Sequence, residues 1–415
     1  MPNFSIPLSG LTAESTALSA IANNLSNQNT PGYKDTLVQF SDLFYQQLGT
    51  TGSGDPIQVG AGVEVGSMPS LFTQGSVEST GVPTDVAIQG SGFFMVQNAD
   101  GSINYTRAGD FTTNTNNDLV TLSGQQVLGY PAVNGVVNTS GGIAPLQLGA
   151  GTISPPSATT TVQLTTNLNG AAAVGDTFST PVTVYDSLGA SHTLTFNFTN
   201  TGPGAWSYNV TIPAADVGQT GNPVTLSTGN MTFDANGNLL TPAANVTGIA
   251  TTGVPGLADG ASNLNFTWDL YSNGSPLLTQ VAAASNTSAT NQNGYSSGTL
   301  VNFAIGSDGT IAGSFSNGET QPLGQLALAN FANPNGLQLM GGTDFSPTLA
   351  SGAAVAGVPG TGELGTISGG ALEESNVDIA TEFANLIVAQ RGFEADAKAV
   401  TTFDQITQDT IALKQ

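Results

Sequence analysis

At 415 residues the chain is long enough for about two or three domains with a buried core. It carries 28 acidic residues against five basic ones, a net charge of −23; phosphate neutralisation needs Lys and Arg, so nucleic acid is excluded as a partner and anionic lipid is disfavoured. Cysteine is absent and His192 is the one histidine, which excludes disulfide frameworks, thiolate chemistry and His-rich metal sites.

The N-terminus has no basic segment and no continuous apolar core, so it does not read as a conventional secretory signal. No stretch approaches the ~18–20 apolar residues that a membrane helix requires, and no membrane insertion is expected. Phe4, Leu11, Leu18 and Leu25 recur every seven residues, with Leu8, Ile21 and Ala22 on the same face, a spacing that predicts an amphipathic helix. The run Asn23–Lys34 stops it, because Asn side chains compete for backbone hydrogen bonds and Pro31-Gly32 makes a turn. Residues 35–71 read as a linker with a short helix around Phe40–Leu48.

From there the pattern is β, rich in Gly, Ser, Thr and Asn. Asp85–Gly90 alternates, Phe93–Val96 reads as a buried strand, and Asp100-Gly101 is a hairpin turn leading into Ile103–Arg107. Asn114–Asp118 lacks the ligand spacing of a calcium loop and reads as a turn. Strands follow at Pro181–Tyr185, His192–Phe198 and Met231–Gly237, then at Val301–Ile305 and Ile311–Phe315 with Asp308-Gly309 and Asn317-Gly318 turns. The Ser/Thr-rich seams 154–161 and 285–293 read as crossings between an outer and an inner β-domain.

Residues 351–370 form a glycine-rich linker, and Glu373-Glu374 reads as negative charge near a helix start. Ser375 or Asn376 is the expected cap. Beyond it Ile379, Phe383, Leu386, Gln390, Phe393, Ala397, Val400, Asp404, Thr407 and Ile411 alternate gaps of four and three, the spacing of a coiled-coil stripe. A helix of about 36 residues would span roughly 54 Å.

The composite is mainly β with long α-helical termini. Nested β-domains, barrel- or sandwich-like, are inserted between N- and C-terminal helices that form a coiled-coil-like inner domain. The expected divisions are a helical core at 1–34 plus 371–415 and a linker region at 35–71 plus 351–370. Inside them lie an inner β-domain at 72–150 plus 294–350 and an outer β-domain at 151–293.

No catalytic constellation emerges. Gly294-Tyr-Ser-Ser-Gly298 matches a nucleophile elbow by letter, but His192 lies before it and a strand rather than a helix follows. His192 reads as a surface or strand-edge residue. No Gly-Lys-Ser/Thr closes a glycine-rich loop, so no phosphate cradle or cofactor is expected.

Neither terminal stripe has local cover, and Phe383 and Phe393 on an exposed helix would be an aggregation hazard. An apolar seam at helical spacing is ordinarily plain core; here both seams lie at the chain ends, outside glycine-rich linkers. Leu11, Leu18, Ile21, Leu25, Phe383, Leu386, Phe393 and Val400 are therefore expected to form an assembly interface. The tails are expected to be mobile in a lone subunit, and covered by each other and by neighbours in a homopolymer.

Asn23, Asn24, Leu25, Asn27, Asn29, Thr30, Gly32 and Tyr33, within Ala22–Lys34, resemble the N-terminal signature of the flagellar rod and hook axial family. Residues 376–383 with 389–395 resemble its C-terminal partner, and Gln74–Phe94 its inner domain. Val184-Tyr-Asp-Ser-Leu-Gly189 followed by His192 is similar to the outer domain of hook proteins, favouring these over distal rod or hook-associated members. The resemblance implies a non-enzymatic helical homopolymer: a flexible tube acting as a universal joint that passes motor torque to the filament. It further implies extracellular assembly at the hook, type III export without a cleaved signal peptide, and contact with the distal rod protein, hook cap and hook–filament junction proteins. A secreted β-rich adhesin is the alternative from another class.

Overall fold

The computed structural model describes residues 5–133, 135–148, 153–251 and 256–413. Phe4 and Lys414 lie outside the described residues. The chain is mainly β, with an N-terminal helix α1 (Ser5–Ser26) and a C-terminal helix α2 (Ile379–Ala412). Its contacts divide it into an inner unit, Met1–Ala150 with Asn302–Gly313 and Thr320–Gln415, and an outer unit, Gly151–Val301 with Ser314–Glu319.

The inner unit is built around Phe93–Gln97, which pairs antiparallel with Ile103–Thr106 and with Gln126–Val133. The last of these pairs in turn with Thr320–Leu326. The Asn98–Ser102 turn closes the first hairpin on Gly101 at φ +87°, a conformation that glycine adopts without strain. Four consecutive residues, Phe93 to Val96, are buried because both faces of the strand are covered. Phe94 and Val96 face a cluster with Val86, Ile88, Phe111, Val127 and Leu326, while Phe93 and Met95 face Tyr105, Tyr130, Phe331 and Phe345. Asn114 folds the next turn by accepting the amides of Asn116 and Asp118, and Asp118 takes amide hydrogens from Asn114, Gln126 and Gln147.

Two linker expectations give way to strands. Around Phe40–Leu48 the chain forms Gln39–Asp42, paired with Val63–Ser67, and Gln46–Thr50, paired with Pro56–Val59. The helix-like spacing of Phe40, Phe44 and Leu48 has nothing to pack on: Phe44 is 94% exposed. The stretch 351–370 contributes Val355–Gly357, paired with Leu328–Asn330, and Thr366–Gly369, paired with Val86–Gln89.

The outer unit is a β-sandwich. One sheet runs as a meander through Thr177–Tyr185, Ser191–Gly202, Ala205–Ile212, Val224–Phe233 and Leu239–Thr241. The other centres on Thr161–Asn169, which pairs parallel with Asn265–Asp269 and Leu278–Val281 and antiparallel with Asn286–Gln292. Alternate residues point inward, so Leu194, Phe196 and Phe198 meet Trp206, Val210, Leu164 and Trp268 in one core. The seam 285–293 is therefore mostly a strand, and it is zipped to the other seam: Ser157 and Tyr295 exchange amide bonds at 3.0 Å, and Asn293 Oδ1 accepts the amides of Thr160 and Thr161. As the spacing predicts, a strand, Gly298–Ile305, follows the Gly294–Gly298 run.

Candidate assembly site

The two terminal helices pair antiparallel within one chain, as the expected coiled-coil-like inner domain requires. Asn24 Nδ2 donates to Glu382 Oε2 at 3.3 Å near one end, and Gly10 faces the Asp396 carboxylate near the other. The buried face of α1 is a stripe of small residues: Gly10, Ala13, Ala17 and Ala20, with Ile21 and Asn24. The sevenfold spacing holds, but its phase is shifted by one residue, about 100° around the helix. Gly10, Ala17 and Asn24 face inward, while Leu11, Leu18 and Leu25 sit half-buried at the flank and Leu8 is exposed. Small side chains win this face because they let two helix backbones approach closely. On α2 the buried residues are Glu382 and Ala389, again one position off the expected seam.

The expected interface residues therefore separate. Ile21 is buried with Ala17 and Ala389, and Leu18, Leu386 and Val38 pack against them. Val400 is half-buried. Phe383 remains 49% exposed and Phe393 38%. Ile387, Val388, Ile406 and Ile411 are exposed as well; of these only Ile411 was in the expected seam, because the others fall outside a strict four–three spacing. Asp378, not Ser375 or Asn376, caps α2, its carboxylate accepting the amides of Ala380 and Thr381.

One like-charge contact lies in the helix pair. A Cβ on Gly392 would come within 2.8 Å of Glu14 Oε1, as Gly10 makes room for Asp396. Partial burial, and then the nearby Asp396 charge, raise the Glu14 carboxyl above its ordinary range.

The motif after α1 acts as wiring. Asn24, 1% exposed, donates through Nδ2 to Asp35 Oδ1 and to Thr36 O, and its Oδ1 accepts the Thr36 amide and the Tyr33 hydroxyl. Asn23 donates to Tyr33 Oη at 3.0 Å, and Thr30 donates to Asn27 Oδ1. Burial, foremost, raises the Tyr33 phenol and the Asp35 carboxyl, with Glu382 adding to the Asp35 shift. Gly32 has φ +67°, and a Cβ there would overlap the backbone of Ala108. Asn29 is exposed and Leu25 half-buried.

Glu373, expected as helix-start charge, is instead the hub that joins the two ends to the inner β-sheet. Its side chain is fully buried, with Lys34 Nζ 2.6 Å from Oε1 and Arg107 Nη1 3.3 Å from Oε2. Oε1 also accepts the Gly75 amide, and the Glu373 carbonyl accepts the Gly32 amide. Burial pulls both cations below their ordinary pKa, with Glu373 opposing the shift. Beside this hub Asn376 Nδ2 donates to Leu71 O and Thr73 O, and its Oδ1 accepts the Asp35 amide. Two of only five basic residues converge on one carboxylate, and that scarcity was the available signal for it.

Family models match along the chain: the flagella basal body rod protein over residues 6–34, the flagellar hook protein FlgE/F/G D1 domain over 87–170, the flagellar basal body protein FlaE D2 domain over 157–295, and the flagellar basal body rod FlgEFG protein C-terminal region over 368–413. The flagellar hook protein FlgE of Escherichia coli K12 is 36% identical over 99% of this chain and 100% of its own length. That of Salmonella typhimurium is also 36% identical, over 99% and 100%. The Treponema pallidum protein is 35% identical over 98% of each chain.

Proposed function

This chain belongs to the flagellar hook protein family and is a structural subunit of the hook; from that premise we propose that its copies polymerise through the apolar surface that the helix pair leaves uncovered. The observation that carries this reading is the residual exposure of Phe383, Ile387, Val388, Ile406 and Ile411 on a helix already paired along its other face. Covering each would contribute roughly 1–2 kcal/mol, part of the value for complete burial of such side chains. Over the five residues that is roughly 5–10 kcal/mol per subunit, on the scale of the association cost it must offset.

On this reading Leu11, Leu18, Leu25, Phe393 and Val400 serve both the pair and its neighbours, and the residues of the 23–33 motif hold the pair at a fixed angle to the inner sheet. The four-part plan, with helical core, linker, inner and outer β-domains, carries torque as a flexible tubular joint whose outer surfaces slide past one another. The family is structural, and we read the chain as non-catalytic and without a cofactor. Export without a cleaved signal, assembly outside the cell, and contact with the distal rod, hook cap and hook–filament junction proteins complete the proposal.

The test is polymerisation of purified Val388→Asp and Phe383→Asp chains, followed by sedimentation and negative-stain imaging. Both should remain monomeric with unchanged circular dichroism. Curved tubes of normal length from both would reject this surface as the interface.

A further inference from the structure

We propose that His192 is a proton-operated clasp: as an imidazolium it binds three carboxylates from three separate connections of the outer unit, and on losing its proton it releases them. Nδ1 lies 3.0 Å from Asp216 Oδ2, and Nε2 lies 3.1 Å from Asp186 Oδ2 and 3.8 Å from Asp259 Oδ2. Neutral imidazole has a single N–H, so one ring nitrogen would present its lone pair to a carboxylate. Only the doubly protonated ring donates on both sides. On the Nε2 side the ring is 8% exposed and Asp186 0%, so solvent cannot stand in for a missing donor there; Asp216 and Asp259, 27% and 32% exposed, keep partial access to water.

The sequence supplies no substitute either. No Lys or Arg lies between Arg107 and Arg391, which makes His192 the one group of the outer unit able to carry positive charge.

The clasp spans three places along the chain. Asp186 sits in the turn between Thr177–Tyr185 and Ser191–Gly202, its Oδ1 accepting the amides of Leu188 and Ala190. Asp216 lies in the 3-10 turn Ala214–Val217 that follows Ala205–Ile212. Asp259 lies in the turn closed by Gly260 N and Leu257 O. Further bonds tie these connections together: Ala258 N to Asp216 O at 2.8 Å, and Ser262 N to Ser187 Oγ at 2.9 Å. Among the described residues, these three aspartates are the charged groups facing the ring. Here burial works against the imidazolium, but hydrogen bonds and charge from Asp216 and Asp186 outweigh it and raise the His192 pKa. Burial likewise opposes the Asp186 carboxylate, and the hydrogen bonds it accepts from His192 and from the Leu188 and Ala190 amides hold it below the ordinary range.

The signs set a working band. Stabilisation from His192 is fully present below its ordinary value near ~6.5 and is lost as pH rises through the raised value. The contribution of Asp186 is lost only as pH falls through its depressed value.

Because the full chain has one histidine, ring NMR of 13C-histidine-labelled protein titrates His192 without assignment. The midpoint should lie clearly above ~6.5. Amide-exchange protection, corrected for intrinsic rates, should fall over the same range in residues 186–190, 214–218 and 257–262. The expected fall is about tenfold for each pH unit separating the midpoint from ~6.5. Asp216→Asn should lower the midpoint, and His192→Gln should abolish the pH dependence of protection. A wild-type midpoint at or below ~6.5 overturns the proposal even if the glutamine variant fails to fold. So does stoichiometric Zn2+ shifting the ring resonance and raising protection at pH 7, since the ring would then hold a metal instead of a proton.

Discussion

Replacing Glu373 by Gln removes the charge that compensates Lys34 and Arg107 while keeping the size of the side chain. The carboxylate is fully buried, and the side chains of its partners are 0% and 4% exposed. Breaking a buried ion pair from one side costs about 3–5 kcal/mol, because the remaining charges are left in a poor medium. With a urea slope near ~3 kcal/mol per molar for a unit of this size, the midpoint should fall by about 1–2 M. The two units can be read separately: α1 and α2 belong to the inner unit, whereas both tryptophans, Trp206 and Trp268, lie in the outer core. Ellipticity at 222 nm should therefore shift with the variant while tryptophan emission keeps its wild-type midpoint. Replacing all three residues by apolar ones of similar volume should recover most of the loss, since the cost lies in the unpaired charges. A Glu373→Gln shift below about 0.3 M, or equal shifts of both signals, would mean that these buried charges do not hold the inner unit together.

Asn24→Ala deletes the amide between Asp35 and Glu382 and should cost about 2–3 kcal/mol by losing several buried hydrogen bonds together, read as an earlier 222 nm transition. Gly32→Ala forces a Cβ into the Ala108 backbone at φ +67°; it should destabilise the inner unit by at least about 1 kcal/mol, measured by the same denaturation. Asp396→Asn removes the charge facing Glu14 and should stabilise the helix pair by roughly 0.2–0.5 kcal/mol, the scale of a like-charge contact on helices. Because the Glu14 carboxyl is raised, its penalty is absent below its ordinary pKa and appears as pH rises through the raised value. The pair should therefore be tightest in mild acid, and thermal melts at pH 4.5 and 7.5 check this.

What was legible depended on whether local pattern or tertiary partner decided the outcome. Phe93–Val96 and the Gly101 turn read correctly because a covered strand and a hairpin glycine carry their own signatures. The helix ends were legible to within a few residues, and the sevenfold spacing of the N-terminal stripe was real. Its phase was not, because leucines dominate any hydrophobic reading while the partner helix selects Gly10 and Ala17 for closeness. Residues 40–48 failed for a related reason: their helical spacing has no surface to bury against, and the chain pairs as hairpin strands instead. His192 and Glu373 were misplaced because their partners are far away in the chain or unremarked in it. Asp216 and Asp259 lie 24 and more residues from His192, and Lys34 lies 339 residues from Glu373.

The mutual amide bonds of Ser157 and Tyr295 bring the two ends of the outer sandwich side by side. Joining two positions so close demands little loop entropy, which makes the excision of residues 158–294 behind a short glycine–serine link a practical design.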